Sequence, residues 1–150
     1  MLTNQAKKDG GTEDLSVLEA MEKLLPMLQV MVSHRSLRFQ AEDVRLPIGQ
    51  GTALSILLNE LVSNAVKHGR GEIGIVFSTR GDHASLQVED QCPGFHDDFN
   101  AIAAANTGLE LIESLSRFDL QGSICYENRA EGGARVIVEF PFVEGPKRGE

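Results

Sequence analysis

Three stretches of this chain repeat apolar residues at three- and four-residue intervals, the period of a helix with one buried face. The widest runs from about Gly51 to His68 through Leu54, Leu57, Leu58, Leu61, Val62, Ala65 and Val66, with Gly69 and Gly71 as its stop. An earlier one, from Glu13 to about Ser33, carries Leu15, Leu18, Met21, Leu25, Leu28 and Val32. Pro26 inside it predicts a kink or a join between two helical pieces. It reads as a core-covering helix, because its seam is too short for a dimerising coiled coil. The third, Thr107 to Phe118, places Leu109, Leu111, Ile112, Leu115 and Phe118 at helical spacing.

Between these lie extended segments. Leu37, Phe39 and Ala41 alternate with Arg38, Gln40 and Glu42, which predicts a strand over about 36–41, and Val44 to Pro47 forms a second short piece. Glu72–Thr79 and His83–Glu89 read as strands joined by a hairpin turn at Arg80-Gly81-Asp82. Gly122–Glu127 and Ala134–Phe140 close the chain, linked by a turn containing Gly132 and Gly133. Asp90 to Asn106 lacks a period and contains Pro93, Gly94 and a run of alanines, so it reads as a loop or lid. Hairpin strands mixed with helices predict an α+β fold with one mixed sheet and its helices on one face. A ligand site then falls between the helix layer and the lid.

The central helix is unusual on its remaining face. Glu60, Asn64 and Lys67 follow at intervals of four and three, so a carboxylate, an amide and an ammonium share one stripe. A helix this apolar should lie largely inside, where such groups need partners, and a divalent metal with phosphate oxygens would serve all three. The alternative is a solvated edge formed by Glu60 and Lys67, with Asn64 bonded locally.

At 150 residues the chain is long enough for one domain with a core, expected over 13–143 between a flexible lead (1–12) and a polar tail (144–150). A net charge of -8 argues against nucleic acid as a partner. Cys92 and Cys125 have no paired spacing, which fits a reducing, cytoplasmic setting. Cys92 and His96 have ligand-like spacing but no second pair, so zinc is not expected. No apolar run is long enough to span a membrane. His34, His83 and His96 read as surface residues.

The stretch Asp90-Gln91-Cys92-Pro93-Gly94-Phe95, followed by Thr107-Gly108-Leu109 opening a helix, resembles the nucleotide-binding layout of the gyrase, heat-shock-chaperone and histidine-kinase ATPase superfamily. Asn59-Glu60-Leu61-Val62-Ser63-Asn64-Ala65-Val66-Lys67-His68 resembles that family's N box, in the form found in short-lid sensor histidine kinases. Three motifs in this order over most of the chain carry the resemblance. It implies a two-layer, Bergerat-type α/β sandwich with about three helices on one face, binding ATP with Mg2+. Carried over residue by residue, Asn64 would hold the Mg2+, Glu60 would be the general base or orient the nucleophile, and Lys67 and His68 would face the phosphates. Asp90 would accept the adenine amine, and Gly94 would let the backbone approach the base. Thr107, Gly108 and Leu109 would bring a helix N-terminus to the phosphates.

Three positions depart from the family pattern. Cys92 replaces the first loop glycine, Glu110 stands where histidine kinases place a glycine, and Ala134 replaces a threonine that usually helps hold adenine. His34-Arg35 superficially resembles a phosphoacceptor box, yet it lies at the junction with the first strand and lacks a second hairpin helix. The resemblance therefore implies the catalytic half of a sensor histidine kinase. The acceptor histidine would sit on a separate dimerisation domain, with a response regulator downstream. Two alternatives stay open: a stand-alone serine kinase of the anti-sigma-factor type, and a nucleotide-binding interaction module without turnover.

Overall fold

The computed structural model describes residues 14–91 and 107–142. The lead (1–12), the tail (144–150) and the loop residues Cys92, Gly94 and His96 lie outside the described residues. In chain order the elements are β1 (Asp14–Ser16), α1 (Val17–Val32), β2 (Leu37–Ala41), β3 (Arg45–Pro47), α2 (Ile48–His68), β4 (Ile73–Arg80), β5 (His83–Glu89), α3 (Thr107–Ser114), a π-helical turn (Leu115–Asp119), β6 (Ser123–Asn128) and β7 (Ala134–Pro141).

The five longer strands form one mixed sheet in the order β2-β4-β5-β7-β6. β2 runs parallel to β4, and every other pair is antiparallel. The β4–β5 hairpin turns at Gly81-Asp82, as expected, and Gly81 takes a φ of 62°, a value L side chains rarely adopt. Alternate residues Ile73, Ile75, Phe77, Ala84, Leu86, Val88, Val138 and Phe140 are buried, and they share one core with Met21, Leu28, Leu57, Leu58, Leu61 and Ile112 of the helices. Apart from Ala84, each such side chain contributes about 1.5–3 kcal/mol on leaving water. The three helices thus cover one sheet face, with α2 packed between α1 and α3.

Three expectations about the elements need correction. Asp14–Ser16 is not the first turn of a helix but a strand, paired antiparallel with Arg45–Pro47 in a second, two-stranded sheet. Ser16 then starts α1 by capping it: its Oγ accepts the Glu19 N–H at 3.1 Å and donates to Asp43 at 2.6 Å. α1 is one helix through Pro26 rather than two pieces. Pro26 and Glu22 are exposed, so water can take the carbonyl that the proline leaves unbonded. α2 begins earlier than expected, at Ile48, directly behind Pro47.

Candidate ATP-binding site

The polar stripe of α2 is half in water. Glu60 and Asn64 are half-buried, while Lys67 and His68 are exposed in the last helical turn. The expectation of an interior carboxylate and amide is therefore too strong. α2 buries its apolar face against the sheet and neighbouring helices, and the stripe lies at the rim, where burial alone does not demand a partner. Lys67 also opposes the partial negative charge of the helix C-terminus.

Asp90 is different. It follows β5 directly and is only 5% exposed, so it is not an ordinary solvated turn residue. Its backbone N–H donates to the Ala134 carbonyl at 3.0 Å, and its Oδ1 accepts the Ala134 N–H at 3.3 Å. Its own carbonyl accepts from Arg129 Nη1 at 2.7 Å. Glycines close around it. A Cβ on Gly69 would strike Asp90 Oδ2, one on Gly71 would strike Gln91 Oε1, and one on Gly133 would strike the Asp90 carbonyl. Gly69 directly follows α2, so the end of the polar-striped helix lies against the Asp90 carboxylate. The position of Ala134 lacks a hydroxyl, but its backbone holds Asp90 from both sides.

Beside Asp90, Glu89 gathers three arginines. Arg38 Nη2 lies 2.9 Å from Oε2, Arg135 Nε 3.0 Å from Oε1 and Arg129 Nε 3.7 Å from Oε1. Burial pushes the Glu89 carboxyl up, but the hydrogen bonds from Arg135 and Arg38 and the charge of Arg129 outweigh it and hold it below the usual range. Arg38, Gly74, Glu89 and Arg135 stand in register across four strands, and Arg38 lies over the glycine. Sequence reasoning missed this row. Its signal was a charged or small residue at the same alternation phase of successive strands.

Thr107, Gly108 and Leu109 form the first turn of α3, and Leu109 is half-buried against the core. Glu110 is exposed. The helix is tied to β6 through Glu113, which accepts from Tyr126 Oη and from Arg117 Nε, each at 2.7 Å. Burial and the bond to Glu113 push the Tyr126 phenol above its ordinary range. His34 is exposed beyond the end of α1. Among the described residues no three His, Cys, Asp or Glu side chains converge on a metal position. An ion at Asn64 would therefore take its remaining ligands from phosphate and water, as Mg2+ commonly does. No described helix is long and apolar enough to cross a membrane.

Residues 49–144 match the family model of histidine kinase-, DNA gyrase B- and HSP90-like ATPases, and the chain belongs to that family. Over 138 residues it is 25% identical to the sensor histidine kinase PdtaS of Mycobacterium tuberculosis, covering 86% of this chain and 28% of that protein. The chain thus spans little more than a quarter of that relative's length. It is 26% identical over 104 residues to the sensor histidine kinase component HK1 of the same species, with 60% of this chain and 61% of that protein covered. The histidine kinase domain of the Erythrobacter litoralis EL346 blue-light activated kinase superposes with a TM-score of 0.76 at 18% identity, over 87% of this chain and 68% of that one. The ATP-binding domain of PrrB from M. tuberculosis gives 0.75 at 16% identity, over 88% and 98%. The fold is that of histidine kinase ATP-binding domains, a mixed sheet with three helices.

Proposed function

We propose that this chain binds ATP with Mg2+ and delivers the γ-phosphoryl group to a histidine outside the described domain. That histidine would lie on a dimerisation domain that serves a response regulator. The observation that carries this reading is the buried Asp90, packed against the end of the helix that bears Glu60, Asn64 and Lys67. A carboxylate offers about four acceptor positions, so accepting the Ala134 N–H is compatible with accepting the adenine amine as well. Guanine presents a carbonyl at that place, which Asp90 would repel. Asn64 would hold the ion through its amide oxygen, and Lys67 and His68 would meet phosphate oxygens. Mg2+, when bound, neutralises charge on the phosphates. The N-terminus of α3, at Thr107-Gly108-Leu109, adds N–H donors for anions. Gly94, outside the described residues, would by the same family resemblance let the backbone approach the base.

In transfer, the acceptor imidazole nitrogen bonds to the γ-phosphorus while the bond to the β,γ-bridging oxygen breaks and ADP leaves. Glu60 is the residue assigned to orient the imidazole and take its proton. Such a reaction draws on cytoplasmic ATP, and it depends on positioning more than on covalent participation by the protein. His34 stands beside a β-strand rather than on a mobile hairpin, so the chain should not label itself. Incubation with γ-labelled ATP tests this directly. Acid-labile phosphate is expected only on an added histidine-bearing hairpin domain. Phosphate on His34 of this chain alone overturns the reading, and transfer to serine of a partner favours the anti-sigma-factor type.

A further inference from the structure

The guanidinium of Arg35 spans two segments that the proposed site needs in a fixed relation. Arg35 follows the α1 turn, where its backbone N–H donates to Val32 O at 3.1 Å. Its side chain then reaches 30 to 36 residues forward. Nη1 donates to the carbonyls of Ala65 at 3.1 Å and Val66 at 3.3 Å, in the last turn of α2. Nε donates to the carbonyl of Gly71 at 2.8 Å. The remaining nitrogen, Nη2, is buried with no hydrogen-bond partner among the described residues, so the head group is enclosed rather than solvated. Ala65 O also accepts the Gly69 N–H at 2.9 Å, whereas helix-end carbonyls in general lack intrahelical partners, and a cation there also opposes the helix dipole.

What this contact holds is specific. Ala65 and Val66 adjoin Asn64 and Lys67, while Gly71 packs on Gln91, whose N–H donates to Arg70 O at 2.9 Å. Gly69, between the two, lies against Asp90. We infer that Arg35 is a positioning residue that locks the Asn64 end of α2 to the loop backing Asp90, and so sets the metal–phosphate half of the site against the adenine half. The inference rests on the proposed ATP reading. A lysine could bond one of the two segments as a point donor, but it cannot reproduce the fork that serves both.

The test is Arg35→Lys in the full chain, with ATP affinity measured by calorimetry with and without Mg2+. The ratio of the two affinities is the informative quantity, since a loss of folded fraction lowers both and cancels. Arg35→Lys is expected to reduce the Mg2+-dependent gain by about tenfold, the equivalent of one charge-assisted hydrogen bond, while affinity in metal-free buffer changes little. An unchanged ratio overturns the positioning role alone. Absence of ATP binding by the parent overturns the site reading together with it. Should the variant not fold, the Arg35 Nε–H resonance of the parent decides: it should move on adding Mg–ATP, and an unmoved signal refutes the role.

Discussion

Gly69→Ala should damage the site through one methyl group. Gly69 has a φ of -109°, so alanine meets no left-handed strain there. The added Cβ instead runs into Asp90 Oδ2 and lies 2.9 Å from the Ala65 carbonyl. Asp90 has little room to retreat, because its Oδ1 accepts the Ala134 N–H and Gly133 closes on its carbonyl. Overpacking of this kind costs about 1–3 kcal/mol, and the fixed surroundings favour the upper part of that range. A shift of the carboxylate that loses 1.4–2.8 kcal/mol of ligand interaction corresponds to about 10–100-fold in Kd. Gly49→Ala is the control. Gly49 is exposed in the first turn of α2 with nothing within 4 Å of an added Cβ, so alanine should stabilise by up to about 1 kcal/mol. Urea unfolding and ATP calorimetry on both variants measure the contrast. If Gly69→Ala matches the parent in both assays, the close packing of α2's end on Asp90 is not what shapes the site.

Asn64→Ala should abolish the Mg2+-dependent part of ATP binding and leave the unfolding midpoint nearly unchanged, because Asn64 is half-buried at the rim. Parent-like Mg–ATP binding would refute its assignment. Glu89→Gln should destabilise by about 2 kcal/mol at neutral pH through weakened bonds to Arg38 and Arg135. Folding lowers the Glu89 carboxyl below its ordinary value, so its contribution is present above that range and is lost as pH falls through the folded value. The gap between parent and variant midpoints in urea should therefore narrow in acid, and a gap independent of pH would contradict the arginine cluster as its cause.

Periodicity alone located most of the elements. Long apolar runs such as 54–66 and the alternation at 83–89 declare their faces locally, and the structure places α2 and β5 there. What escaped depends on partners distant in the chain. β1 is three residues long and exists because Leu15 pairs with Leu46. The bonds of Arg35 to Gly71 and of Arg129 to Asp90 cross 36 and 39 residues, and no spacing rule encodes them. The stripe of Glu60 and Asn64 was visible, but its depth was not, since period fixes a helix face and not how far its rim is covered. Asp90 shows the reverse: the aperiodic stretch it opens reads as a loop or lid, and only the sheet reveals this residue as buried.

Calorimetric titration of the chain with Mg–ATP and Mg–GTP, alongside Asp90→Asn, bears most directly on the proposal that this ATPase-family domain reads adenine through Asp90. The parent should bind ATP and discriminate against GTP. Asp90→Asn should weaken ATP by about 1.5–3 kcal/mol and relax the preference, because an amide can donate to the guanine carbonyl. Equal affinity of parent and variant for both nucleotides, or no binding of ATP by the parent, would contradict it.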